Sequence, residues 1–289
     1  MTTTNPETSR PELTPGDPPV SRRSPARPSG ATLQVGVAVL WLSLIVLLPL
    51  AAILLTSVEG GVDAFWSAVT SPSALASFRV TLVISIGVTL VNVVFGLLIA
   101  WVLVRDDFPL KRVVDAIIDL PFALPTIVAS LVLLSLYGPG SPVGIHIQHT
   151  AWGVALALAF VTLPFVVRAV QPVLLELDRE VEEAAASLGA NNATIFFRVI
   201  LPALAPSLFS GAGLAFSRAI GEFGSIVLIG GAIPGETEVS SQWIRTLIEN
   251  DDRVGAAAIS IVLLLISFVV LFILRYFGAR AAKREESAR

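Results

Sequence analysis

Along the chain, apolar residues gather into six runs, at 33–57, 80–104, 117–137, 151–173, 205–231 and 255–277, with short polar stretches between them. An α-helix needs about 20 apolar residues to cross the hydrocarbon core of a bilayer, and every run reaches that length. The pattern predicts an all-α integral membrane protein with six transmembrane helices. Prolines fall inside several runs: Pro49 in the first, Pro121 and Pro125 in the third, and Pro164 in the fourth. Neighbouring helices and side chains can satisfy the carbonyls that such prolines free, so these runs are still read as spans.

A different pattern fills 177–204, between the fourth and fifth runs: LDREVEEAAASLGANNATIFFRVILPAL. Asp178 suits a helix N-cap, and Glu180, Glu182 and Glu183 follow where negative charge favours the helix dipole. Val181, Ala184, Ala185 and Leu188 form one apolar face at helical spacing. Gly189 can end that helix in the left-handed conformation. Asn191 or Asn192 can cap a second short helix, expected to stop at Leu201 before Pro202. This predicts a compact helix–turn–helix on one membrane surface.

Charge orients the spans. Arg22, Arg23, Arg27, Arg105, Lys111, Arg112, Arg179, Arg198, Arg280, Lys283 and Arg284 flank one side. The other side offers Arg79, Arg245 and Arg253, and loop 138–150 has no Lys or Arg. The positive-inside rule then predicts cytoplasmic termini, in agreement with an even number of spans. Composition agrees with this picture: 54% of the 289 residues are hydrophobic and 14% charged, against about a quarter charged in a soluble domain. A net charge of −3 gives no reason to expect nucleic acid. The chain has no cysteine, which excludes disulfides, thiolate catalysis and cysteine-ligated metal sites. Residues 1–30 are rich in Pro, Ser, Thr and Arg, and predict a disordered cytoplasmic tail. A cleaved signal peptide fits poorly, because the polar stretch is too long and no small-residue cleavage site follows a short apolar region.

The loop motif resembles a known one. Glu183-Ala184-Ala185, then Gly189, then Val199, Leu201 and Pro202 match the signature E-A-A, three residues, G, nine residues, I-x-L-P. That signature belongs to the permease subunits of binding-protein-dependent ABC importers, and Val199 for isoleucine is the one departure. The resemblance implies a type-1 permease fold in which this loop forms a coupling helix that docks in a cleft of an ATPase subunit. It also implies an organisation of tail (1–30), first helix and outer loop (31–77), permease core (78–277) and cytoplasmic C-terminal tail (278–289). A phosphate-binding loop G-x-x-x-x-G-K-[S/T] is absent, so ATP must be hydrolysed by separate subunits, and no cofactor is implied. EEAAA alone would suit any surface helix; Gly189 and Leu201-Pro202 carry the match. A DNA-binding helix–turn–helix needs an electrostatic footprint, whereas the second helix offers only Arg198 beside Ile195, Phe196 and Phe197.

Within that family, NVVFGLLIAWVL (92–103), DLPFALPT (119–126), PFVVRAVQPVL (164–174) and SRAIGEFGSIVLIGG (217–231) are similar to sulfate/thiosulfate permeases of the T or U type. Molybdate permeases share part of this pattern and form the alternative. The resemblance implies two ATPase subunits, a second permease subunit (or a second copy of this chain) and an external sulfate-binding protein as partners, besides the lipid membrane.

Polar residues within the runs are the path candidates. Ser217, Arg218, Glu222 and Ser225 lie in the fifth run, and intramembrane charges normally face a bundle interior or a watery cavity. Two readings stand for Arg218 and Glu222: a gate at the subunit interface, or a structural ion pair. Asn92 either bonds between helices or lines the path. Arg168 is expected to snorkel at the end of the fourth run, and Asp119 to cap the third helix. His146 and His149 lack a third ligand and read as loop surface. Val239, Trp243, Ile244, Leu247 and Ile248 predict a short amphipathic helix at the outer interface, implied by the resemblance to meet the binding protein. An intramembrane enzyme would need a nucleophile with a base, or clustered metal ligands, and neither pattern is present; a non-transporting membrane scaffold would not need the loop signature.

Overall fold

The computed structural model describes residues 31–286; the expected disordered tail, 1–30, lies outside the described residues. Contacts divide the chain into two units, Met1–Pro49 and Leu50–Arg289. Helix α1 (Ala31–Leu42) runs into a π-helical turn, Ser43–Leu47, closed by the Leu48 N–H donating to the Ser43 carbonyl. Helix α2 (Leu48–Val58) begins there with Pro49 at its second position. A proline ring clashes with the carbonyl four residues back in a regular α-turn, and the wider turn relieves that clash. Gln34–Val58 is apolar and long enough to cross a membrane.

The second unit continues with α3 (Gly61–Val69) and the long α4 (Pro72–Arg105). Ser71 caps α4, its hydroxyl accepting from the Ala74 N–H at 3.3 Å, and Pro72 occupies the first turn where no N–H is missed. The third expected span is broken. It consists of α5 (Lys111–Ile118), α6 (Leu120–Ala123) and α7 (Thr126–Tyr137). Pro121 sits harmlessly at the start of α6, but the residue before a proline is driven out of the α-region, and Leu124 before Pro125 is extended (ψ 134). The 12 residues of α7 cover about 18 Å at 1.5 Å per residue. Five helices among the described residues are long and apolar enough to cross a membrane, and α7 is a shorter apolar helix beside them.

Helix α8 (Ala151–Glu176) passes through Pro164 and Pro172 without breaking. It is followed by α9 (Arg179–Ser187), α10 (Asn192–Ile195), a second π-helical turn at Phe196–Ile200, and α11 (Leu201–Ile220). The expected stop before Pro202 does not occur. As at Pro49, the π-turn absorbs the proline, and Asn192–Ile220 is one continuous apolar span. The fifth span therefore begins earlier than expected and ends at Ile220, eleven residues short of 231. Turns fill the stretch up to α12 (Ser240–Glu249), and α13 (Arg253–Glu286) closes the described chain. That last helix runs through the expected boundary at 277/278 without interruption.

Small residues set how closely the helices pack. Helix α8 lies between α4 and α11, and its Val166 is fully buried. A Cβ on Gly96 of α4 would stand 2.8 Å from Val166 Cβ, and one on Gly211 of α11 would stand 3.0 Å from Val166 Cα. Helices in lipid associate through such close contacts. Three apolar clusters follow one another through this unit. One joins the Arg105 end of α4, α8 and the start of α11, through Ala100, Leu103, Val167, Val170, Ile200 and Leu204. A second is centred on Val154, Leu158, Ile226 and Ile229, and a third joins α3, α4, α12 and α13 through Val69, Phe78 and Ile259.

Candidate functional site: the signature loop and the polar residues of the spans

The signature loop folds as its local chemistry dictates. Asp178 Oδ1 accepts from the Glu180 N–H at 2.9 Å, capping α9. The helix ends with the Ala190 N–H bonded to the Ala185 carbonyl at 3.1 Å and the Gly189 N–H to the Ala186 carbonyl at 2.9 Å, the paired arrangement of a left-handed C-terminal cap. Gly189 supplies that conformation at φ +87. Asn191 Oδ1 then accepts from the Thr194 N–H at 2.8 Å and starts α10.

The signature residues divide into two sets. Ala185, Val199 and Leu201 pack against the apolar cluster at the Arg105 end of α4. Glu183, Ala184, Gly189 and Pro202 are exposed. Apolar side chains accompany this exposed set: Leu188 is 90% exposed, Phe197 64% and Val181 53%. The expected apolar face of α9 is thus split, with Ala185 turned inward and Val181, Ala184 and Leu188 outward. A second tie was absent from the sequence reading: Glu182 forms a short ion pair with Arg105, the last residue of α4.

The polar residues of the fifth run come together only in part. Arg218 lies in the last turn of α11 and pairs with Glu222, which follows the helix end and is buried. The remaining oxygen of Glu222, Oε1, accepts from the Ser225 N–H at 2.7 Å, and its carbonyl accepts from Ser241 Oγ at 2.7 Å. This carboxylate organises the turn that ends the span, while the Arg218 side chain stays one-third exposed. The hydroxyls of Ser217 and Ser225 are buried without a hydrogen-bond partner. Asn92 sits elsewhere, in the α4–α8 contact, donating to Thr162 Oγ1 at 2.8 Å and the Ala159 carbonyl at 3.1 Å.

Two groups of residues outside the candidate set shape the same region. The broken third span meets the irregular stretch after α11 at Gly224, where a Cβ would stand 2.1 Å from Thr126 Oγ1; only glycine permits that approach. Ser130 Oγ accepts from the N–H groups of both Leu228 and Ile229, at 3.1 and 3.3 Å, so the non-helical backbone is satisfied inside the protein, as an apolar medium requires. Arg168 does not snorkel alone, and Asp119 does not cap. Arg168 donates through Nε and Nη2 to the two oxygens of Asp119, both at 2.7 Å, and through Nη1 to Asp115 Oδ1 at 2.7 Å. Both oxygens of Asp119 are turned to this bidentate guanidinium, and Asp119 makes no capping bond.

Beyond the spans, His146 Nδ1 is 2.8 Å from the Gly138 carbonyl, closing loop 138–150 on itself. Helix α12 forms as expected, but Trp243, Ile244 and Leu247 pack into the cluster shared with α3, α4 and α13, and Val239 into the second cluster, leaving Ile248 exposed. Burial lifts the Glu238 carboxyl above its ordinary value.

This arrangement of a broken third span, a helix–turn–helix that leaves part of its signature exposed, and a fifth span entered through that loop defines a membrane permease of the ABC importer class. The chain belongs to the family described as binding-protein-dependent transport system inner membrane component, whose model matches residues 92–283. It is 42% identical over 262 residues to the sulfate transport system permease protein CysT of Salmonella typhimurium, covering 88% of this chain and 95% of that one. It is 46% identical over 241 residues to the protein of the same name from Synechococcus elongatus, covering 81% and 87%. Among solved structures, a bacterial alginate ABC transporter in complex with its alginate-bound periplasmic protein matches with a TM-score of 0.68 at 15% identity, over 86% of this chain and 94% of that one. The MetNI methionine ABC transporter matches at 0.56 with 21% identity, over 72% and 95%. At such identities these two speak for the fold alone.

Proposed function

We propose that this chain is the membrane-spanning permease subunit of an ATP-driven importer for sulfate and thiosulfate. The signature loop carries the reading. It leaves Glu183, Ala184 and Gly189 exposed together with the apolar side chains of Val181, Leu188 and Phe197, while Ala185, Val199 and Leu201 rest on the helix core. An apolar patch rimmed by charge marks a protein contact, and the matching partner is an ATPase subunit. Identity to sulfate permeases over most of the chain favours sulfate over molybdate as cargo. In this reading two ATPase subunits and a second permease complete the complex, an external binding protein delivers the anion, and both termini are cytoplasmic. Closure of the ATPases pushes the loop as a rigid body, and the push enters α11 without a hinge, because α10, the π-turn and α11 are one helix.

The polar turn at Arg218, Glu222 and Ser225 is the place where that motion acts on the path. A membrane anion path must bind weakly enough to release its cargo. An arginine already paired to a buried glutamate meets that condition, because its charge is largely spent. Asn92, bonded between α4 and α8, holds those helices in register. The test is uptake of labelled sulfate by cells with and without this chain, with thiosulfate and molybdate as competitors. Uptake lost on deletion and restored by the intact chain is expected; unchanged sulfate uptake with lost molybdate uptake would overturn the cargo.

A further inference from the structure

The contact between Glu182 and Arg105 carries an inference beyond docking. Arg105 is the last residue of α4, and Glu182 lies on the loop helix α9, 77 positions away in sequence. Their side chains are only 11% and 22% exposed, unlike the other loop carboxylates. The Arg105 guanidinium also lies 5.5 Å from the ring centre of Trp101, one turn earlier on α4. That ring meets Phe196 edge-on at 5.7 Å, and Phe196 opens the π-turn leading into α11. Loop helix, second span and fifth-span entry are therefore joined by three successive contacts through one guanidinium and one indole.

We infer that Arg105 is a positioning residue that couples the loop helix to α4, so that displacement of the loop moves the second and fifth spans together. This rests on the permease reading above. Without the pair, the push on the loop still enters α11 through the continuous helix, but α4 is no longer drawn with it. ATP hydrolysis then proceeds with less anion moved per turnover. The contact is electrostatic and partly screened from water, so it keeps its strength at physiological salt better than an exposed pair would.

The test uses the complete transporter, reconstituted in proteoliposomes with its ATPases, partner permease and binding protein. ATP hydrolysis and labelled sulfate uptake are measured together on Arg105→Gln, Glu182→Gln, and the exchange Arg105→Glu with Glu182→Arg. Each single change is expected to leave the ATPase subunits bound and hydrolysing, while sulfate moved per ATP falls about fivefold or more. The exchange is expected to restore most of that ratio, which a role in folding alone would not do. Single variants with the native ratio would overturn the inference. So would single variants that shed the ATPase subunits in parallel with lost uptake and are not rescued by the exchange. A native complex without ATP-driven uptake of any oxyanion would overturn both this inference and the permease reading.

Discussion

Adding one carbon to Gly96 should cost stability, whereas adding it to Gly87, nine residues earlier on the same helix, should not. A Cβ on Gly96 would meet Val166 Cβ and Cγ1 at 2.8 Å, while one on Gly87 meets nothing within 4 Å. Relaxed carbon contacts need about 3.5 Å or more, so α4 and α8 would have to separate by roughly 0.7 Å locally. Val166 has no free space to move into, since it is fully buried and its backbone is closely approached by Gly211 of α11. Overpacking of this kind costs about 1–3 kcal/mol, offset by up to about 1 kcal/mol from exchanging glycine for alanine in a helix. The net expectation is a loss of about 0.5–2 kcal/mol for Gly96→Ala. For Gly87→Ala it is no loss, or a gain of up to about 1 kcal/mol. Reversible unfolding of the purified protein in one detergent, following helix content as denaturant rises, measures both. Equal stabilities for the two variants would refute the claim that glycine at 96 is there for close approach.

Three further outcomes are expected. Gly189→Ala places a side chain at φ +87, which should cost about 1 kcal/mol locally and lower ATP-driven uptake more than global stability; equal uptake by the variant would argue against a strict need for that turn. Arg168→Ala should destabilise the protein more than Asp119→Asn, because it frees Asp115 as well; with half-exposed partners the difference is about 1 kcal/mol, read from the same unfolding curves. The Glu238 carboxyl is held above its ordinary value of 4.5 by burial, so its neutral form suits the folded state. Its contribution is present at acid pH and is lost as pH rises through the raised value. Glu238→Gln should flatten that part of the stability profile, and an unchanged profile would show that burial of the carboxyl is not felt.

Much of this architecture was legible because membrane spans are written in long apolar runs and the loop in local capping residues. Asp178, Gly189 and Asn191 each act within three residues of themselves, the range over which sequence reasoning is strongest. Misreadings arose where an apolar run did not mean a helix, or a proline did not mean a stop. Residues 221–231 continue the apolar run that begins at 205, yet Gly221, Gly224, Gly230 and Gly231 leave the backbone free to turn, and Ser130 satisfies two of its amides; that glycine density was the available signal. Pro125 broke its helix and Pro202 did not: Leu124 is extended before the first, whereas a widened turn leads into the second. Partners distant in sequence stayed hidden: Arg105 served only as a marker of topology, and Arg168 and Asp119 were each given a solitary role, although they bind one another 49 residues apart.

The widened turn at Phe196–Ile200 also fixes an angle. A π-turn accommodates one residue more than an α-turn, and one residue of α-helix is about 100° of rotation. The helix leaving the loop is thereby indexed: the same sequence threaded as an uninterrupted α-helix would present Ser217 and Arg218 on a flank turned by about that amount. Removing one residue from 196–200 would turn the π-turn into an ordinary α-turn and leave the downstream side chains on their faces, whereas winding all five residues as α-helix would aim every one of them at the wrong neighbour. The loop thus sets the compass bearing of α11 as well as transmitting force to it.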